Sequence, residues 1–264
     1  MVDTCVVLVI GDIVGKAGCR AVFATLNKLK QKNQADFVIA NGENASEGKG
    51  ITPADAEDLF KSGVDVITSG NHIWQKKEIL DILKSDSRLL RPENYPVGVP
   101  GSGNCVAKVR DISIGVCNLE GRVYLSNIRC PFKVGRDTVT RMRKDTNILI
   151  VDFHAESPEE KEALAIYLDG RVSAVVGTHT HVQTADERIL PKGTGYITDI
   201  GMTGPKDSCI GMDSAIALKR GLTQMPLKME VANTTAEIHG VCLKIDISSG
   251  KTLSIERVKE MSVV

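Results

Sequence analysis

The feature that most narrows the fold is a repeated event. A short apolar run ends, and there the chain places Gly beside Asp, Asn, Glu or His. Cys5–Ile10 leads into Gly11-Asp12-Ile13-Val14-Gly15, Asp36–Ala40 into Asn41-Gly42-Glu43-Asn44, and Val64–Ser69 into Gly70-Asn71-His72. Asn147–Asp152 leads into Phe153-His154-Ala155-Glu156, and Val172–Val176 into Gly177-Thr178-His179-Thr180-His181. Runs this short, bounded by turn residues, read as strands. Helical patterns over Lys16–Lys32, Pro53–Ser62 and Lys76–Lys84 alternate with the first three, which argues for α/β layering with largely parallel strands. Open α/β sheets bind ligands at the carboxyl ends of their strands. Four of the five histidines fall at such ends, and only His239 does not.

The remaining segments complete a layered architecture. Thr52 is placed to cap a helix with Pro53 in its first turn, and Ser157-Pro158-Glu159-Glu160 carries a capping-box signature for a second. Arg91–Asn104, rich in Pro, Gly and Asn, reads as a long loop; Cys105–Arg110 and Ile112–Asn118 read as an antiparallel pair. The C-terminal third reads mostly as strand, with Gly240–Ile247 and Thr252–Val258 around the turn Ser248-Ser249-Gly250-Lys251. The expectation is two packed β-sheets flanked by helices. With no repeat and no clear linker, residues 1–264 read as one domain.

Charge and cysteine usage exclude several classes. Lys plus Arg is 33 and Asp plus Glu is 33, so the long-range basic field of a dedicated nucleic-acid or anionic-membrane binder is missing, which leaves room only for a local patch. The apolar run from Cys5 is far shorter than the roughly 20 residues of a membrane span, and Asp3 rather than a basic segment precedes it. The seven cysteines are scattered, without a C-x-x-C pair, and read as reduced and mostly buried thiols. A cytoplasmic protein without an export signal is expected.

The chemistry rests on donor types. Residues two apart on an extended backbone face one side, so His179 and His181 can aim at a single site. Imidazoles mixed with carboxylate and amide oxygens, without thiolates, suit Mn, Fe or Zn. Asp12, Glu43, Asn44, Asn71, His154, His179 and His181 are seven candidate ligands, too many for one open catalytic ion. Two divalent ions sharing a carboxylate would use them, and against two carboxylates they leave a charge of about +2. Such a centre draws in a phosphate ester and lowers the pKa of bound water from 15.7 toward about 7. Hydrolysis of a phosphoester follows.

Other features carry ordinary readings. Gly11–Ala17 fails the phosphate-loop pattern on spacing and on its missing Ser/Thr. Asp12 and Asn71 taken singly are equally a helix cap and a turn residue. Glu120 and Arg122 read as a surface salt bridge before they read as substrate contacts. His239 reads as a strand-face histidine, and Trp74 either walls the pocket or packs.

The blocks GDIVG (11–15), NGENASE (41–47), SGNHIW (69–74), RPENY (91–95), VDFHAE (151–156) and GTHTHVQTADERILPKGTGYITDIGMTG (177–204) resemble the calcineurin-like metallophosphoesterases. Within them the chain is most similar to a bacterial branch of cyclic-nucleotide phosphodiesterases of the 2′,3′-cyclic-nucleotide 2′-phosphodiesterase type. The resemblance implies a four-layer sandwich. It implies Asp12, Glu43, Asn44 and His181 around one metal, and Glu43 bridging to a second held with Asn71, His154 and His179. His72 is implied as the proton donor, with iron or manganese as the metals and zinc as a further candidate. Two departures from the wider superfamily stand out: Asp-x-His is here Asp12-Ile13-Val14, and Glu43 replaces the bridging Asp. The reading is a dimetal phosphodiesterase on small phosphodiesters, cyclic nucleotides (2′,3′ or 3′,5′) favoured, in which metal-activated hydroxide attacks phosphorus and His72 protonates the leaving oxygen. Its rivals are a phosphomonoesterase, a nuclease, and a regulatory metal- or nucleotide-binding module with vestigial activity. The partner expected is the small substrate, with neither nucleic acid nor membrane; the oligomeric state, a homo-oligomer included, stays open.

Overall fold

The computed structural model describes residues 3–262, so the first and last two positions of the 1–264 span lie outside the described residues. In its first half the chain forms β1 (Thr4–Ile10), β2 (Asp12–Ile13), α1 (Gly15–Asn33), β3 (Phe37–Asn41), α2 (Pro53–Lys61), β4 (Val66–Thr68) and α3 (Ile79–Ser85). Next come β5 (Asn104–Val109), β6 (Ile112–Glu120), α4 (Pro131–Met142), β7 (Ile148–His154), α5 (Pro158–Leu168) and β8 (Ala174–Thr178). The last third holds β9 (Arg188–Ile189), β10 (Gly195–Ile197), β11 (Met202–Pro205), α6 (Ser214–Thr223), β12 (Ala236–Asp246) and β13 (Thr252–Met261).

These strands make two mixed sheets. One runs β2-β11-β12-β1-β3-β4, with β13 on the other edge of β12; the second runs β5-β6-β7-β8-β10-β9. The strands that carry the candidate ligands are parallel neighbours: β1 with β3, β3 with β4, and β7 with β8. Their inner faces meet in an apolar layer of Val7, Val9, Phe37 and Ile39 from one sheet and Ile148, Ile150, Ala174 and Val176 from the other. The outer face of the first sheet packs on α1, α2 and α3, and that of the second on α4 and α5. Helix, sheet, sheet, helix is the expected four-layer order.

Local differences have local causes. The helix expected from Lys76 starts at Ile79, because residues 70–78 form successive turns, with Ile73 N donating to Gly70 O and Gln75 N to His72 O. Thr52 forms a full capping box with Asp55. At Ser157 only half of one exists: its hydroxyl accepts from Glu160 N, while the Glu160 carboxylate turns away to the N–H groups of Arg122 and Val123. The C-terminal third also contains α6, which the reading of that third as mostly strand did not include and which buries none of its residues. Only Cys5 and Cys117 are buried thiols; four are half-buried and Cys209 is exposed, which corrects the mostly buried expectation. No helix among the described residues is long and apolar enough to cross a membrane.

Candidate metal centre

The inner-face positions of the strands change character as they approach the carboxyl ends. On β7 the series is Ile148, Ile150, Asp152, His154; on β3 it is Phe37, Ile39, Asn41 and then Glu43; on β4 it is Val66, Thr68 and then Gly70. Apolar groups pack the two sheets, polar groups then bond across them, and the candidate ligands come last. In the middle tier the fully buried Asp152 carboxylate accepts from Asn41 Nδ2 (3.1 Å), Thr68 Oγ1 (2.5 Å) and Thr178 Oγ1 (2.7 Å). Thr178 spends its proton on Asp152, so its oxygen accepts from His154 Nδ1 at 2.9 Å. That chain leaves His154 Nε2 as the nitrogen that faces the cluster, as outer partners of metal-binding histidines commonly do.

Glu43, His154 and His179 lie close enough for one ion to reach all three. His154 Nε2 is 3.1 Å from Glu43 Oε1 and 3.0 Å from His179 Nδ1. Asp12 Oδ1 is 3.8 Å from His154 Nδ1 and 3.9 Å from His181 Nε2, and Asp12 Oδ2 accepts from His179 N at 3.2 Å. Asn44 joins two rings, with Nδ2 2.9 Å from His181 Nε2 and Oδ1 2.9 Å from His72 Nδ1. His72 Nδ1 is also 3.1 Å from Glu43 Oε1. Asn71 occupies the turn after β4 with a buried Oδ1 that has no partner. Asp12 is a strand residue and caps no helix; Val14 occupies the N-cap of α1 without a side-chain bond.

His179 and His181 reach the cluster by a route other than the extended backbone expected. β8 stops at Thr178, and the two histidines have φ of 102° and 66°. Such angles cost a non-glycine residue free energy and need external support. Asp199 supplies it: its Oδ2 accepts from Thr180 N (3.0 Å) and Thr180 Oγ1 (2.8 Å), and the buried Lys161 ammonium holds it at 2.8 Å.

Electrostatics at the cluster are set by burial and by its carboxylate–imidazole pairs. Burial raises the Asp12 carboxyl to about 6, against the pull of His181 and His154. Burial also works against the charge of Glu43, but His154 and His72 outweigh it and hold the carboxylate well below its usual range. Burial lowers His154, yet Glu43 and Asp12 raise it to about 9; burial and the His154 charge press His179 down to about 3. Asp12 Oδ1, Glu43 Oε1 and Asn71 Oδ1 are buried and complete no hydrogen bond. Buried carboxylate oxygens without partners are expensive. Three orphaned oxygens among imidazoles fit divalent cations, so the residues suit the group implied.

Several residues at the site went unread in the sequence: Asp152, Thr178, Asn41 and Thr68 beneath the ligands, and Lys161 and Asp199 behind the histidine turn. Glu156 Oε2 lies 2.9 Å from His179 Nε2. Glu120 is a correction. It is fully buried at the end of β6, paired in register with His154, and neither carboxylate oxygen completes a hydrogen bond. Burial raises its carboxyl, although Tyr95 and His154 favour the charged form. It forms no surface pair. Arg122 is exposed and donates its backbone N–H to Glu160. His239 bonds Glu237 at 3.2 Å, and Trp74 packs edge-on against Tyr95.

Two mixed sheets with this cluster at their strand ends match the four-layer arrangement that the resemblance implies. The fold is shared with an NAD nucleotidase of Haemophilus influenzae, at 13% identity and a TM-score of 0.61 over 99% of this chain and 57% of that one. A Bacillus subtilis 2′,3′-cyclic-nucleotide 2′-phosphodiesterase is 47% identical over 96% of both chains. The crystal structure of a phosphatase from Mycoplasma pneumoniae superposes with a TM-score of 0.92 at 35% identity, covering 99% of this chain and 95% of its own. Residues 8–258 match the family of YmdB-like proteins. The chain belongs to that family and is an enzyme of the phosphoric-diester hydrolase class.

Proposed function

We propose that the chain, acting as one domain in the cytoplasm, is a dimetal phosphodiesterase that opens cyclic nucleotides, with 2′,3′-cyclic phosphates preferred to 3′,5′. The observation that carries this is Glu43: a fully buried carboxylate whose orphaned Oε1 lies 3.1 Å from both His154 Nε2 and His72 Nδ1. One ion would be held by Asp12, Glu43, Asn44 and His181, the other by Glu43, Asn71, His154 and His179. Bound there, two divalent ions would supply charge for the phosphoryl oxygens and a lowered pKa for water. Oxygen and imidazole donors without thiolate suit iron or manganese, with zinc as the third choice.

The chain's own part is to hold and move a proton. His72 is the most open of the site histidines, its side chain 24% exposed. Asn44 Oδ1 and Glu43 Oε1 both face its Nδ1, which fixes the proton there, and its Nε2 bonds nothing in the described protein. Nε2 is therefore the atom open to the second proton of the imidazolium; from there it would pass to the departing ribose oxygen, leaving His72 neutral with its remaining proton on Nδ1, a contribution of about 10² to 10⁴ in rate. The test compares cyclic nucleotides with a p-nitrophenyl diester, whose leaving group needs no proton. His72→Ala should cripple the first, spare much of the second, and keep the metal content. Equal losses on both esters refute the assignment, and a preference for monoesters over all diesters refutes the substrate class.

A further inference from the structure

The net charge of zero conceals an uneven distribution. A cavity of about 700 Å³ opens between the start of α1, the loop from β3 to α2, and the segment after α6. Lys16, Arg20, Lys49, Arg220 and Lys228 line it with Glu230 as the one unpaired acid, since Lys76 and Glu47 neutralise each other at 2.9 Å. Those five cations make no ion pair with the described residues, and Lys228 and Lys16 come near enough to act on the Glu47 carboxylate. Five positive groups against one negative, in a chain that balances 33 with 33, is a local excess of four.

The cavity shares a wall with the metal centre. Asn44, whose side chain touches His72 and His181, accepts through its carbonyl from Gly15 N at 2.9 Å, and Gly15 lines the cavity. On the other side His181 Nδ1 bonds Ile210 O at 2.9 Å, two residues before the lining residue Met212. Met212, Leu227, Met229 and Val231 give it an apolar face, beside the polar Ser46 and Asn233. Cations facing an apolar surface match a nucleotide chain, whose phosphates seek charge and whose bases seek a dry face. One phosphate would not occupy five cations drawn from separate segments, and the volume lies in the upper half of the usual range for small-ligand sites, about 300 to 1,000 Å³.

We infer that this cavity binds the phosphodiesters next to the terminal residue of a short oligoribonucleotide, whose 2′,3′-cyclic phosphate end lies at the metal centre. The inference rests on the proposed cyclic-phosphodiesterase reading and narrows its substrate: the preferred ester is an oligomer end, with the same bond to phosphorus broken by water.

The test measures kcat/KM of the metal-loaded enzyme on adenosine 2′,3′-cyclic phosphate and on a triadenylate ending in a 2′,3′-cyclic phosphate. The trinucleotide should be favoured about tenfold at low salt. With two extra phosphates in contact, that preference should fall about sevenfold between roughly 50 and 200 mM salt. The exposed triple variant Arg20→Gln/Lys49→Gln/Lys228→Gln should lose the preference and its salt dependence while the mononucleotide rate holds. Equal rates on the two substrates in the wild-type enzyme, or a preference that survives the triple variant, overturn the inference while the cyclic-phosphodiesterase reading stands. An enzyme that hydrolyses neither refutes that reading and the inference with it.

Discussion

Adding one methyl group at Gly70 should dismantle the metal centre while leaving the fold largely intact. A Cβ there would stand 2.1 Å from His154 Cδ2, 2.2 Å from Glu43 Oε2 and 2.3 Å from His154 Nε2. Ordinary contacts between such atoms are about 3.5 Å, so the imidazole and the carboxylate must each retreat by more than about 1 Å. Neither has room: both side chains are fully buried, and Thr178 holds His154 from behind at 2.9 Å. The backbone at Gly70 does not have a positive φ, so alanine adds no strain of its own. Overpacking of this kind costs about 1–3 kcal/mol of stability. A 1 Å misplacement of groups that position the reaction costs roughly 10²-fold in rate. Gly70→Ala should therefore unfold at modestly lower urea, bind markedly less metal by elemental analysis, and lose about two orders of magnitude in kcat/KM. Gly221→Ala in α6, where a Cβ meets no atom within 4 Å, is the matched control and should change neither metal nor rate. A Gly70→Ala protein with full metal content and near wild-type turnover would show that Glu43 and His154 need not lie together for activity.

Four further outcomes follow from the buried charges. Glu43 and Asp12, against burial, raise His154 to about 9 and keep it protonated at neutral pH; metal uptake must displace that proton, so titration calorimetry in two buffers should show about one proton released per chain from this group at pH 7–8 and none above pH 10. The same raised value means that the stability His154 gives the metal-free protein is complete below about pH 6.5 and lost as pH rises through 9, which urea midpoints across that window will report. Glu120, whose carboxyl is raised by burial, opposes folding once pH exceeds the ordinary carboxylate range; Glu120→Gln should stabilise the metal-free protein at pH 8, with the gain vanishing in acid. Lys161→Met strands the Asp199 carboxylate without its cation and should cost about 3–5 kcal/mol in urea unfolding, against which a loss below 1 kcal/mol would count.

The alternation of strand and helix, and the five loaded strand ends, were legible because both depend on neighbours in sequence. β1, β3, β7 and α1 lie within a residue or two of where hydrophobic periodicity puts them. What stayed hidden depended on the partner sheet. Glu120 reads as surface on its own, because Gly121 and Arg122 follow it; only the pairing of β6 with β7 puts it beside His154. The histidine turn reads as extended, because nothing near it in sequence announces Asp199, which lies 19 residues from Thr180. α4 buries Pro131, Val134, Gly135 and Thr138, poor helix formers whose spacing shows only once a sheet lies beneath them. One signal was available and unused: the parity of inner-face positions, which runs from Ile150 to Asp152 to His154 and from Ile114 and Val116 to Asn118 and Glu120.

That parity also explains why the two halves of the centre differ in kind. Of the proposed ligands, those from the first sheet and its loops are oxygen and amide donors, Asp12, Glu43, Asn44 and Asn71, with the His72 imidazole beside them; those from the second are imidazoles, His154, His179 and His181. Neither set alone is a transition-metal site, since oxygens by themselves suit hard cations. The centre exists only where the sheets meet, at a separation set by the apolar layer of Val9, Ile39, Ile150 and Val176 and by the Asn41–Asp152–Thr68 bonds above it. Without a cation, Asp12 and Glu43 must be buried in one cluster; burial above all raises the Asp12 carboxyl, and the charges of Asp199 and Glu43 add to it. Metal held at this seam would cancel the repulsion and tie one sheet to the other. Binding at the site would thus support folding: the apolar layer fixes the distance between the proposed ligands, and metal bound there would relieve the charge that this distance creates.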